Sequence, residues 1–288
     1  MPEPMQTIVD THVHFWDPAK FEYPWLASVP SLQRTFLPVD FSAAFAALGV
    51  TKLVFVECNV RADQCEQEVA WIESLVPAEP RLAAIVAFAD LTISDERQRT
   101  ALLERLLARP LVRAIRHNIQ GQPKRFCLQQ SFIDGVRTVH RLSGHFELCV
   151  THDQLDDVLE LLRSAPDGQF VVNHGAKPSI RSNLQQPWRA KMAQLACFDN
   201  VSCKISGLFT EADLTRQSVD AVRPFAEHIV ECFGHRRILY GSDWPVCTLA
   251  ASAELWMDFV RSIIADWSEH ERNSFYHENA IKLYRLEL

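Results

Sequence analysis

Three histidines and one aspartate carry the chemistry this sequence can support. His12 and His14 stand two residues apart in the run Val9-Asp10-Thr11-His12-Val13-His14. On a β-strand that spacing sends both side chains to one face, where two imidazoles bind one cation or cradle a polarised oxygen. A pair of hydrogen-bonded core histidines is the structural alternative. His174 closes the apolar run Phe170-Val171-Val172-Asn173-His174, where it is read as polarising a carbonyl or completing a metal shell. Asp243 follows Leu239-Tyr240-Gly241-Ser242 and precedes Trp244-Pro245. A carboxylate there ligates a metal or takes a proton from attacking water, although Asp before Trp-Pro also suits a turn. Arg116 and His117 offer a grip on a substrate carbonyl or carboxylate, the guanidinium through its bidentate fork. Two readings stay open for each of three further residues. Glu57 is a metal ligand or a structural carboxylate, Lys204 a substrate contact or a buried amine paired with an acid, and His152 a site residue or the start of the next helix. Trp25 and Trp244 complete the expected substrate contacts.

These side chains act together only if the chain brings them to one place. Short runs rich in Val, Ile and Phe are read as strands over 7–12, 52–57, 82–88, 112–116, 146–151, 169–173, 201–205 and 238–240. Their near-continuous apolar character is that of parallel strands buried on both faces. Apolar residues at helical spacing fall between them, over 64–75, 95–108, 155–162 and 219–233. Ser268-Glu269-His270-Glu271 has the form of a capping box and predicts a helix near the C-terminus. Alternating strands and helices predict an α/β fold of one domain over residues 1–288, a closed (β/α)8 TIM barrel, with an open doubly wound sheet as the alternative. Seven of the eight predicted strands have an ionisable group at or just past the C-terminal end, the end where such barrels carry their catalytic residues. The segment 17–38 holds Pro18, Pro24, Pro30 and Pro38 beside Trp25 and Phe36. It is read as a long aromatic loop, within about 15–40, over the active site.

Composition excludes several classes. A net charge of -7 argues against a nucleic-acid surface. No run approaches the roughly 20 apolar residues of a membrane span, and the N-terminus has no signal-peptide pattern. The eight cysteines contain no C-x-x-C pair and are expected to be buried free thiols, which suits a cytoplasmic protein. There is no Gly-x-Ser-x-Gly elbow, no G-x-G-x-x-G and no phosphate loop.

The run Val9-Asp10-Thr11-His12-Val13-His14-Phe15-Trp16-Asp17 resembles the opening of the amidohydrolase-2 group of the amidohydrolase superfamily. So do Tyr23-Pro24-Trp25-Leu26, Arg113-x-x-Arg116-His117, His174-Gly175-Ala176-Lys177-Pro178, Lys204-Ile205-Ser206-Gly207-Leu208 and Gly241-Ser242-Asp243-Trp244-Pro245-Val246. The sugar-lactonase branch, with its L-fuconolactone and L-rhamnonolactone hydrolases, is the nearest likeness; a sister branch hydrolyses 2-pyrone-4,6-dicarboxylate. The resemblance implies a (β/α)8 barrel that hydrolyses a cyclic ester. It implies Asp243 as the base that activates water, with His174, Arg116 and His117 beside it in catalysis. It also implies His12, His14, Glu57, His174 and Asp243 as ligands of one divalent cation, zinc or similar, or a metal-free site in which the histidines polarise the lactone carbonyl. Asn173 stands where many relatives have Asp. The expected partner is a small-molecule lactone, with a homo-oligomer left open. The rivals are a 2-pyrone-4,6-dicarboxylate-type lactonase, a metal-dependent decarboxylase of the same superfamily, and a binding protein that keeps the barrel without catalysis.

Overall fold

Every strand of this protein is buried almost end to end, which a parallel sheet covered on both faces requires. In a computed structural model, which describes residues 7–287, eight strands pair in parallel and in chain order. They are β1 (Ile8–Val13), β2 (Val50–Val56), β3 (Leu82–Phe88), β4 (Val112–Arg116), β5 (His145–Leu148), β6 (Phe170–Val172), β7 (Val201–Ile205) and β8 (Ile238–Tyr240). The last strand returns to the first. Val13 bridges Trp244 in parallel, the Asp243 N–H donates to the His12 carbonyl at 2.9 Å, and the Thr11 hydroxyl donates to the Tyr240 carbonyl at 2.6 Å. Asp10 fastens this seam from within: its Oδ1 accepts the backbone N–H of His12 at 3.1 Å and of Ser242 at 2.9 Å. The result is a (β/α)8 barrel.

The two faces of the strands bury different sets. Val9, Val54, Val56, Ala84, Val86, Ala114, Val171 and Leu239 form an inner cluster. The residues that alternate with them, such as Leu53, Phe55, Ile85, Phe170 and Val172, belong to the outer layer under the helices. On β5 and β7 the outward positions include Phe146, Leu148, Cys203 and Ile205, so the inward ones include Glu147 and Lys204. Both of these are fully buried. The inner cluster is completed at the N-terminal mouth by Ala280, Tyr284 and Leu286. Ala280 and Tyr284 lie on the C-terminal helix α10 (Asn279–Tyr284), which the Asn279 amide ties to the carbonyls of His235 and Ile238.

The outer layer contains α1 (Pro38–Phe45), α2 (Cys65–Ser74), α3 (Glu96–Leu107), α4 (Gln130–Arg141), α5 (Leu155–Ser164), α6 (Trp188–Ala196), α7 (Arg223–Phe233), α8 (Ala253–Ile263) and α9 (Glu269–Asn273). Asp95 caps α3 through the Gln98 N–H, and Ser268 with Glu271 forms the predicted box at α9. Helices α1, α4, α6 and α8 are absent from the sequence prediction. In α4 the β-branched Ile133, Val136, Thr138 and Val139 and a mid-helix Gly135 depress local propensity. Packing overrides that: a Cβ at Gly135 would stand 3.0 Å from the Leu91 side chain. Segment 17–38 is more regular than expected, with 3-10 turns at Pro24–Ser28 and Pro30–Leu32. Six of the eight free cysteines are buried; Cys197 is exposed and Cys232 half-buried.

Candidate active site

The seam between β1 and β8 delivers the reactive groups. Nε2 of His14 lies 3.4 Å from Asp243 Oδ1, Nε2 of His12 3.6 Å and Nε2 of His174 3.7 Å. One carboxylate oxygen is thus the hub of three imidazoles whose positions span 162 residues between His12 and His174 (174 − 12). Their rings touch, with centroids 4.9 Å apart for His12 and His14 and 4.4 Å for His12 and His174. All four residues are buried. His174 and Asp243 hold positive φ, at 53° and 61°. For non-glycine residues this costs about 1–3 kcal/mol and persists where the surroundings over-determine it. Gly207 makes room for both: a Cβ there would sit 2.6 Å from His174 Nδ1 and 2.9 Å from Asp243 Oδ2.

The electrostatics favour a charged base beside His12 and His174 rings held neutral. Burial pushes the Asp243 carboxyl upward, but His174, His14 and Lys177 outweigh it and hold the group at about 2. Burial brings His174 down to about 3, with Lys177, Arg116 and Lys204 adding to the effect and Asp243 opposing it. Burial, then Lys204, His174, His14 and Arg116, push His12 well below its ordinary value.

Beneath the hub lies a buried polar network. Arg116 donates from Nε to Glu57 Oε1 at 2.6 Å and from the guanidinium to the Glu57 carbonyl at 2.7 Å and Asn173 Oδ1 at 3.3 Å. Asn173 Nδ2 donates to Glu147 Oε2 at 2.9 Å, and Lys204 Nζ donates to the same oxygen at 2.6 Å and to the Thr11 carbonyl at 2.8 Å. The Tyr284 hydroxyl reaches Glu147 Oε1 at 2.5 Å from the opposite mouth.

The residues predicted from sequence fall into two groups. His12, His14, His174 and Asp243 meet, with Arg116 3.4 Å from His12 Nε2. Glu57 binds Arg116 and the Asn59 N–H. Lys204 takes the buried, acid-paired position of its two readings. His117 is placed elsewhere: its Nδ1 accepts the Leu91 N–H, and its ring packs among Phe88, Phe126 and Phe132. His152 opens a 3-10 turn ahead of α5. Trp244 is 2% exposed, its ring packed against Phe15, Phe36 and Phe41, which makes it a brace rather than an open surface for substrate. Trp25 is half-buried, donates to the Cys58 carbonyl at 2.7 Å and stacks edgewise on Trp16, itself 6.4 Å from His14. Sequence reasoning assigned no role to Glu147, Ser206 or Lys177. Ser206 Oγ lies 2.8 Å from His174 Nδ1. Lys177, ion-paired with Glu211 at 2.9 Å, is a cation that acts on Asp243. Lys177 and Ser206 lie in two of the runs that carry the family resemblance, which is the signal that could have found them.

The donor set can be tested for a cation. Ligands about 2.0–2.1 Å from one zinc stand roughly 3.4 Å apart. Separations of 3.4–3.7 Å around Asp243 Oδ1 are long for hydrogen bonds and of that order. His14 donates from Nδ1 to the Val56 carbonyl at 2.7 Å, which leaves its Nε2 lone pair bare. His12, His14 and Asp243 have ligand atoms within 4.8 Å of one another. The set fits a cation geometrically, with Arg116 and Lys204 as opposing charges next to His12.

Comparison with known proteins agrees with this architecture. A family model described as amidohydrolase matches residues 9–286. The chain is 29% identical over 295 residues to an L-fucono-1,5-lactonase of Burkholderia multivorans, with 96% of each chain covered. It is 30% identical over 250 residues to an L-fucono-1,5-lactonase of Burkholderia ambifaria, covering 84% of this chain and 81% of that one. A crystal structure of an amidohydrolase from Burkholderia multivorans with bound zinc is similar at a TM-score of 0.86 and 29% identity, covering 98% of this chain and 100% of that one.

Proposed function

This chain belongs to the amidohydrolase family, and from that premise we propose that it hydrolyses a sugar lactone to the open-chain aldonate. The observation that carries the reading is the hub: an ionised carboxylate out of bulk water with three imidazole nitrogens 3.4–3.7 Å away. Likeness to L-fucono-1,5-lactonases supports a sugar ring as substrate. Asp243 takes a proton from water as the oxygen adds to the lactone carbonyl. Arg116, with His12 and His174, steadies the developing oxyanion. When the ring C–O bond breaks, the proton on Asp243 passes to the leaving ring oxygen. The new carboxylic acid then releases its own proton to solvent. A positioned base of this kind contributes about 10²–10⁴-fold. A divalent cation, when bound, would be held by His14, His12, His174 and Asp243, and would supply Lewis-acid polarisation of the carbonyl.

The aromatic segment 17–38 is read as the lid of this mouth. Its tie from Trp25 to Cys58, next to Glu57, supports that assignment. His152, Lys177 and Trp25 are assigned to the substrate side, and the buried free thiols support a cytoplasmic enzyme of carbohydrate metabolism.

A pH-indicator screen of L- and D-aldonolactones, with and without chelator, tests the reading. Proton release with at least one sugar lactone is the expected result. Silence across the panel overturns it, and CO2 release from an aromatic acid would move the protein to the decarboxylase branch.

A further inference from the structure

The catalytic reading uses one mouth of the barrel, and the other mouth is not sealed. A cavity of about 650 Å³ opens among the N-terminal ends of β5 to β8 and the C-terminal helix α10. In a protein of net charge -7 its lining is cationic. Arg236, Arg237, Lys282 and Arg285 line it, against the carboxylates of Asp199 and Glu278. Arg237 donates to the carbonyls of Ala196, Phe198 and Val201 at 2.9–3.2 Å, and Arg285 to the carbonyl of Ser143 at 2.7 Å. These bonds hold the two guanidiniums in place and leave their charge unneutralised. Arg236 and Lys282 are exposed, and among the described residues neither has a hydrogen bond or an ion pair. The inner end of the cavity is a buried imidazole. His145 is the first residue of β5 and 4% exposed. Its ring meets Tyr284 edge-on at 4.8 Å, and its Nε2, without a hydrogen-bond partner, lies 3.7 Å from Glu147 Oε1.

We propose that this cavity is a binding site for a small metabolite carrying two or more ionised oxyanion groups, phosphate or carboxylate. Packing alone gives no reason to gather cations without counter-charges around a cavity that ends on a buried ring. An anion supplies both the charge and the hydrogen-bond acceptors they lack. The cations come as two pairs from two elements, Arg236 and Arg237 ahead of β8 and Lys282 and Arg285 at the end of α10, which suits two anionic groups rather than one. The planar fork of arginine fits phosphate and carboxylate alike, and lysine adds a point charge. The volume is within the range of small-molecule sites. Barrels of this class carry their chemistry at the C-terminal mouth, so an occupant here does not compete with substrate. It sits at the foot of the network in which Glu147 holds Lys204.

The probes are fructose 1,6-bisphosphate and tricarballylate, each titrated by calorimetry into the full-length protein against sodium chloride at equal ionic strength. Saturable binding of at least one probe at one equivalent is expected, and the tighter probe assigns the preferred group as phosphate or carboxylate. Heat no greater than that of chloride overturns the proposal. The Arg236→Gln/Lys282→Gln double variant removes two exposed charges that hold nothing in the fold. It should bind the probe at least about tenfold more weakly, with thermal unfolding unchanged. Equal affinity places the anion elsewhere and also overturns the proposal. A lactone assay locates the site independently, and this arm alone rests on the lactone-opening reading. Saturating probe should leave KM for the lactone unchanged. A KM that rises with probe to the same degree in wild type and double variant puts the anion in the catalytic mouth and rejects the N-terminal site. If wild type opens no lactone yet binds the probe through Arg236 and Lys282, the functional reading fails and the anion site stands.

Discussion

At the scale of single residues, Asp243 is the group on which catalysis turns. Replacement by Asn keeps shape and removes the base. Asp243→Asn is predicted to lower kcat by about 10³-fold or more, with thermal unfolding little changed; near wild-type kcat would remove the base assignment. Its pH behaviour is equally specific. Asp243 acts when deprotonated, and its carboxyl is held at about 2. His174 is neutral above about 3. Activity is therefore lost only as pH falls through that range, and initial rates should be flat from pH 4 to 8. An inflection near pH 6.5, the ordinary histidine value, would show that a different group limits the reaction. These four residues were legible because each is a titratable side chain at the end of an apolar run. Glu147 and Ser206 were not, because nothing in their spacing says that two different strands will place them behind Lys204 and His174.

At the scale of elements, the loop after β7 and the seam of β1 with β8 hold the geometry. Gly207 has φ +59°, and a Cβ there meets His174 and Asp243. Gly207→Ala should cost about 1–3 kcal/mol in backbone strain and reduce kcat/KM by at least about tenfold by displacing the base and its neighbour. Steady-state kinetics and urea unfolding on the same preparation separate the two effects. Asp10→Ala leaves two buried backbone N–H groups without their acceptor. A loss of about 2–4 kcal/mol in urea unfolding is expected, and a fully stable variant would mean that the seam closes without it. The bounds of β3, β4, β7 and β8 were readable from sequence because each is a short run enriched in Val, Ile, Leu or Phe. β5 was read as 146–151 but ends at Leu148, where the chain turns toward the 3-10 turn at His152–Gln154. The helices that escaped prediction, such as α4 with Gly135 at its centre, form because the barrel packs against them, a contribution that local propensity does not contain.

At the scale of the whole molecule, the two mouths of the barrel are joined through its interior. Closure itself was beyond the reach of periodicity, which gives strand type but not the return of β8 to β1. The role of the C-terminal helix was equally hidden: the capping box at Ser268 predicts a helix near the C-terminus but not where it packs, and Tyr284 is fully buried inside the barrel. From there a continuous path runs through Glu147 at 2.5 Å, Lys204 at 2.6 Å and His12 at 3.4 Å to the hub. Two substitutions at Tyr284 ask what that path does. Tyr284→Ala opens a cavity and removes the hydroxyl, and is predicted to cost about 3–5 kcal/mol in unfolding free energy. Tyr284→Phe keeps the packing and takes one donor from a buried carboxylate, at about 1.5–3 kcal/mol. Because Glu147 keeps both Asn173 and Lys204, the network loosens without breaking, and the phenylalanine variant should lose kcat by a few-fold while KM holds. A variant that loses stability but no kcat would confine Tyr284 to the core and separate the lower half of the network from turnover.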